Sequence, residues 1–257
     1  MNYTNLATIN HPGLIIFLLD ISAGMGGIAF GEKTKLDEAI NIIMESLMDM
    51  VQRSIKMLKL WPRYRVCVVA YSNEVWDVLG SITPIDQLDD FKKKLDSLRP
   101  LYTTDTAKGF RCVKALLEKD IQQLSLEPGW GGYPAPLIVH LTDGEYSENT
   151  DDPEPIVDQI KNILTPDGNV LVENIQIFPK KNSIPKEDVT KWPGVFPGER
   201  IGSPSTNKLL TMSSIIPNPY LRNINSEGYS LKPGAAMLFP GFYAEIIKQS
   251  IVRTQTS

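Results

Sequence analysis

A carboxylate and a hydroxyl two residues apart, Asp20 and Ser22, follow directly on an unbroken apolar run from Gly13 to Leu19. A buried strand that ends on such a pair delivers two oxygen ligands into a turn, here the glycine-rich stretch Gly24-Met25-Gly26-Gly27. That is how an α/β fold presents oxygens to a hard cation. Two more oxygen-bearing stretches belong to the same constellation. Thr103 and Thr104 precede a helical pattern that opens at Asp105, and Asp143 lies just beyond the apolar run Leu137 to Leu141. Two carboxylates with Ser and Thr hydroxyls suit Mg²⁺ or Mn²⁺, which favour octahedral oxygen coordination. Asp20, Ser22, Asp143 and a hydroxyl from Thr103, Thr104 or Thr106 are the candidate metal ligands, with Glu145 and Asp105 flanking the site as solvated loop carboxylates.

The elements that must position these residues are legible in the spacing. Arg65 to Tyr71 reads as a second buried strand, and Val75 to Leu79 as its antiparallel neighbour after the Ser72-Asn73 turn. Leu137 to Leu141 and Val170 to Phe178 read as further strands. Apolar residues at Leu36, Ala39, Ile40, Ile43, Met44, Leu47, Met50, Val51 and Ile55 predict a long helix from Lys35 to about Met57. Further helices are expected over Ile85 to Leu98, Asp105 to Leu124, Pro155 to Leu164, about Thr206 to Ile215, and about Phe242 to Arg253, with an irregular stretch through Asn225 to Pro233. Strands alternating with helices indicate an α/β, Rossmann-like, doubly wound fold: a mostly parallel sheet with one antiparallel edge strand and helices on both faces. In such a sheet the ligand site belongs at the carboxyl ends of the strands, where Asp20 and Asp143 fall.

The 257 residues suit one domain, 1–257, with a long loop or insertion at about 180–205 that is rich in Pro, Gly and charge. Hydrophobic content of 42% and charged content of 22% argue against disorder and against a membrane class. The net charge is −4 and no Lys/Arg block forms a stripe, so no nucleic-acid partner is expected. The first residues lack a basic leader and no apolar run is long enough to span a bilayer, so a cytoplasmic protein without a membrane partner is expected. Cys67 and Cys112 lie in apolar stretches without metal-ligand spacing, and His140 sits in a strand pattern where a packed, hydrogen-bonded imidazole is expected.

Two other chemistries are set aside. Gly26 to Thr34 comes near the phosphate-binding Gly-x-x-x-x-Gly-Lys-Ser/Thr loop, but Glu32 is inserted before Lys33 and puts a negative charge where phosphates would lie. The stretch reads as a flexible connector. Neither histidine accompanies a plausible nucleophile, so no catalytic residues are assigned and binding rather than catalysis is expected. An Mg²⁺-dependent hydrolase or nucleotide-binding protein that uses the same acidic cluster stays as an alternative.

Asp20-x-Ser22, a separate Thr104, and Asp143 within Leu141-Thr142-Asp143-Gly144 resemble the metal-ion-dependent adhesion site (MIDAS) of the von Willebrand factor A (vWA) family. The resemblance runs from residue 13 to about 178. It implies direct metal ligation by Ser22, direct or water-mediated ligation by Thr104, charge balance by Asp20 and Asp143, and a last ligand from an acidic residue of a protein partner. Gly24 departs from the family pattern, which has Ser there. Water must then fill that vertex, the cation is held more weakly or is lost, leaving a scaffold that binds through loops such as Lys180 to Ser205, and Gly24→Ser is expected to tighten binding. Asp167 to Val172, Met212-Ser213-Ser214 and Gly228-Tyr229 to Pro233-Gly234 further resemble bacterial vWA proteins associated with tellurium resistance. That resemblance implies a stress-response setting and a protein kinase or PP2C-type phosphatase as partner.

Overall fold

The computed structural model describes residues 2–147, 149–178, 188–241 and 247. Strand β1 (Gly13–Asp20) is buried along its whole length, which is why its sequence is continuously apolar instead of alternating. A tight turn and a small hairpin, β2 (Ile28–Phe30) with β3 (Lys33–Thr34), lead from it into helix α1 (Lys35–Ser54). The near-match to a phosphate loop is therefore a hairpin. Its last residue, Thr34, caps α1: the Thr34 side chain accepts from Asp37 N while the Asp37 carboxylate accepts from Thr34 N.

The helix ends three residues earlier than its apolar spacing predicts. Ile55 to Leu60 instead forms a second hairpin, β4 (Ile55–Lys56) with β5 (Lys59–Leu60), closed by Met57 and Leu58 at φ of +52° and +61°. A two-residue turn with both central residues at positive φ matches the right-handed twist of its strands, and here non-glycine residues accept that conformation.

β6 (Tyr64–Tyr71) pairs in parallel with β1. The chain then returns antiparallel along the outer edge of β6 as β7 (Val75–Asp77) and β8 (Thr83–Pro84), interrupted where Gly80 and Ser81 adopt φ of +85° and +89°. The helix expected over Ile85 to Leu98 divides into a 3₁₀ turn at Ile85–Gln87 and α2 (Phe91–Asp96), because Asp90 takes a left-handed φ of +51° between them. α3 (Thr106–Leu124) follows, with Asp105 as its N-cap. β9 (Leu137–Thr142), α4 (Glu154–Lys161) and β10 (Leu171–Gln176) continue the alternation.

Beyond β10 the expectations need correction. The described part of the expected 180–205 loop carries a 3₁₀ turn at Val189–Lys191, and it is not all surface: Trp192 and Val195 are buried, with the Trp192 ring edge-on to Phe239. After α5 (Pro204–Met212) comes a helix that the sequence reading missed, α6 (Asn218–Ser226), with a proline in its first turn, where a missing N–H costs nothing. A short strand, β11 (Leu238–Pro240), then joins β10 in parallel. The expected final helix at Phe242 to Arg253 falls almost entirely outside the described residues.

The sheet order is β11-β10-β9-β1-β6-β7. Connections run from β1 to β6 on one side while β9 pairs β1 on the other, so the order reverses at β1. This is the doubly wound arrangement, and it sets the carboxyl ends of β1 and β9 side by side, the place where such sheets bind ligands. α3 seats closely on this part of the sheet: a Cβ at Gly109 would stand 3.0 Å from the Tyr71 ring and 3.2 Å from Leu18.

Candidate metal centre

Asp20 is the last residue of β1, and Asp143 follows the last residue of the adjacent strand β9. The third loop is pinned beside them by backbone hydrogen bonds: Leu101 N donates to Ile21 O at 2.7 Å, Ala23 N to Tyr102 O at 2.9 Å, and Asp105 N to Ser72 O at 2.9 Å. Thr104 N donates to Ser147 Oγ at 3.0 Å, which ties the same loop to the segment after β9. The structure thus brings the three predicted loops together at one end of the sheet, with Asp20, Ser22, Thr104 and Asp143 all buried.

Each side chain has a distinct electrostatic situation. Asp20 is fully buried; its Oδ1 accepts from Ser22 N at 2.8 Å and its Oδ2 from the Thr142 hydroxyl at 2.7 Å. Burial dominates and raises its carboxyl to about 7, against the hydrogen bonds from Thr142 and Ser22, with Asp143 adding repulsion. Thr142 is a positioning residue that the spacing alone did not single out; it also accepts from Gly144 N at 2.9 Å, which fixes the turn carrying Asp143. Asp143 Oδ1 accepts from Glu145 N at 3.0 Å, and its Oδ2 pairs with Lys35 Nζ at 2.8 Å. Lys35 is the second site residue that sequence reasoning missed. No local pattern links it to Asp143, 108 residues away.

Ser22 Oγ is buried and has no hydrogen-bond partner, although the hydroxyl lies close enough to Asp20 to favour the ionised carboxylate slightly. Ser54, Tyr146 and Tyr220 also carry buried hydroxyls without a partner, and Ser22 is the one of these that stands at a predicted ligand position, two residues from the buried Asp20 carboxylate. Among the described residues, no three of His, Cys, Asp and Glu gather as a metal site, so any cation here must use the hydroxyls. The donor set, two carboxylates with Ser22 and Thr104, fits Mg²⁺ or Mn²⁺ in kind.

The neighbours of the site sort themselves by position. Thr103 is exposed, and the Thr106 hydroxyl lies 3.4 Å from Tyr71 OH inside the core, which leaves Thr104 as the buried threonine of the loop itself. Asp105 caps α3 by accepting from Lys108 N at 2.9 Å. Gly24 is tighter than its lack of a side chain suggests. A Cβ there would stand 2.6 Å from Asp143 Oδ2 and 3.6 Å from Glu145 Oε2, so Gly24→Ser cannot simply add a ligand; it must first move Asp143.

His140, three residues before Asp143, belongs to the core. Its Nε2 lies 2.7 Å from Tyr71 OH and its Nδ1 2.7 Å from Asn174 Oδ1. Both cysteines are free, and burial raises the Cys67 thiol to about 12, so it is inert packing.

No protein-family model and no curated protein sequence matches the chain. Similarity appears at the level of solved structures. The chain resembles the VWA domain of SpRpn10 at TM-score 0.53 and 11% identity, over 94% of this chain and 96% of that one. It resembles an aerotolerance-related membrane protein from Bacteroides fragilis at TM-score 0.51 and 15% identity, over 94% and 98%. It also resembles proximal thread matrix protein 1 from the mussel byssus at TM-score 0.51 and 13% identity, covering 95% of this chain and 47% of that protein, about half its length. Among the described residues no helix is long and apolar enough to cross a membrane. Strand order and these structural neighbours together identify the fold as that of a von Willebrand factor A domain.

Proposed function

We propose that this chain is a cytoplasmic protein-interaction module that captures an acidic side chain of a partner protein at the carboxyl ends of β1 and β9. Ser22 and Thr104 would hold Mg²⁺ or Mn²⁺ through their hydroxyls, with Asp20 and Asp143 balancing its charge. When bound, the cation offers the partner's carboxylate an open, electrophilic coordination position. The observation that carries the reading is the buried, unpartnered Ser22 Oγ close to the Asp20 carboxylate. Two free cysteines suit a reducing compartment. The partner class follows from the sequence resemblance around Met212-Ser213-Ser214 and Gly228-Tyr229: a protein kinase or PP2C-type phosphatase of a tellurium-type stress response.

Calorimetric titration of Mg²⁺ and Mn²⁺ tests the site directly. Heat is expected for the wild type and is lost in Asp20→Ala. A second reading, a metal-free scaffold that binds partners through its loops, is favoured by the ion pair between Lys35 and Asp143; absence of heat in the wild type selects it. Turnover of a phosphoester or nucleotide would replace both with a hydrolase.

A further inference from the structure

We propose that Lys35 is a tethered competitor of the divalent cation, an ammonium that neutralises Asp143 in the metal-free protein and must leave Asp143 Oδ2 before the metal is held. The inference rests on the strand-end cluster being a cation site, as argued above, and adds what sets its affinity.

The contact is specific and sheltered. Lys35 Nζ lies 2.8 Å from Asp143 Oδ2, with side chains only 14% and 2% exposed. The reach is built into the backbone. Lys35 is the first residue of α1, its N–H donates to Gly27 O at 2.8 Å, and the Thr34–Asp37 capping box fixes the helix start on the turn below the site. From there the side chain crosses the glycine turn: a Cβ at Gly27 would stand 3.6 Å from Lys35 Cε and 3.9 Å from its Nζ. Gly24 leaves the same carboxylate free of side-chain crowding, since a Cβ there would lie 2.6 Å from the very oxygen that takes the ammonium. Two glycines thus give space to one lysine.

An ammonium and a divalent cation cannot share one carboxylate oxygen at low cost, because like charges a few ångströms apart repel strongly in a partly buried site. Ser22 Oγ is not satisfied by Lys35, whose hydrogen bond goes to Asp143, so the pair balances the site's charge without completing its hydrogen bonding. Metal entry therefore exchanges a single tethered charge for a free double one, and the tether lowers the apparent affinity.

The test is Mn²⁺ titration, by calorimetry and by the paramagnetic resonance signal of free Mn²⁺, on the wild type, Lys35→Met, Lys35→Gln and Lys33→Met. Lys33 is an exposed neighbour whose removal changes the net charge equally. Removing Lys35 is expected to tighten Mn²⁺ binding about tenfold or more, with Lys33→Met close to wild type. Equal binding by the wild type and both Lys35 variants overturns the competitor and leaves the metal site standing. So does equal tightening by Lys33→Met. Absence of binding in every protein overturns the cation site itself. Lys35→Gln keeps a polar end on the helix start and serves if Lys35→Met does not fold.

Discussion

At the residue scale, Ser22 holds a hydroxyl that is 1% exposed and has no hydrogen-bond partner, two residues from a carboxylate that is fully buried. Leaving a buried donor and acceptor unmade costs on the order of 1–3 kcal/mol, so the metal-free protein carries a local penalty at this position. Ser22→Ala removes it. The expected outcome is a metal-free protein as stable as the wild type or more stable by about 1 kcal/mol, hence a melting temperature raised by about 2–4 °C, together with loss of the stabilisation that Mg²⁺ or Mn²⁺ gives the wild type. A structural serine would behave in the opposite way, since its removal would lower stability and leave the metal response intact. Differential scanning calorimetry with and without chelator reads both quantities. Asp20, Ser22 and Asp143 could be found in the sequence because each lies at or just beyond the end of an apolar run, where a strand of such a sheet gives way to its ligand-binding turn. Lys35 and Thr142 could not. One joins the site by reaching over a glycine turn to a residue 108 positions away, and the other acts through Asp20, so neither leaves a local signal.

At the element scale, the long periodic segments were readable and the short irregular ones were not. β1, β6, β9, α1 and α3 each bury an extended face, and the spacing of their apolar residues reports that burial directly. The end of α1 illustrates the limit. Ile55, Met57, Leu58 and Leu60 continue an apolar-rich pattern without Gly, Pro or Asn to mark a turn, yet the chain leaves the helix at Ser54 and Met57 and Leu58 stand 91% and 101% exposed. α6 was hidden for the converse reason: Pro217 and Pro219 look like loop residues, although a proline in the first turn is compatible with a helix. The hairpin carries its own prediction. Non-glycine residues at φ of +52° and +61° are strained, whereas Asn-Gly fits such a turn, and the exposed side chains contribute no burial that would be lost. Met57→Asn with Leu58→Gly is therefore expected to stabilise the protein by about 1 kcal/mol, measured by urea denaturation. A neutral or destabilising result would mean that these two side chains are held by contacts absent from this structure.

At the scale of the whole molecule, a polar seam crosses the sheet beneath the site. Tyr71 of β6 meets His140 of β9, His140 meets Asn174 of β10, and the Asn174 amide nitrogen donates to Leu209 O at 3.2 Å and Ser213 Oγ at 2.9 Å, at the end of α5. With its nitrogen so engaged, Asn174 must use Oδ1 as an acceptor. His140 therefore carries its proton on Nδ1, and Nε2 accepts from Tyr71. Complete burial holds this imidazole neutral and lowers its pKa from 6.5 to about 4, outweighing the bond to Asn174. Between those values the unfolded chain takes up a proton that the folded protein refuses, so stability is lost as pH falls from 6.5 towards 4, by about 3 kcal/mol in all. Asp20 acts in the opposite sense. Its folded pKa, about 7, lies above the ordinary 3.8, so the folded protein holds the extra proton and stability is lost as pH rises through that window. The two effects offset each other in the wild type, which is expected to show a shallow pH dependence between 4 and 7 from these groups. His140→Gln separates them. Whatever its absolute stability, urea denaturation across that range should show the variant becoming less stable as pH rises, and Mg²⁺ or Mn²⁺ should flatten the trend by keeping Asp20 ionised. Parallel profiles for variant and wild type would show that His140 is not the buried neutral group its surroundings make it.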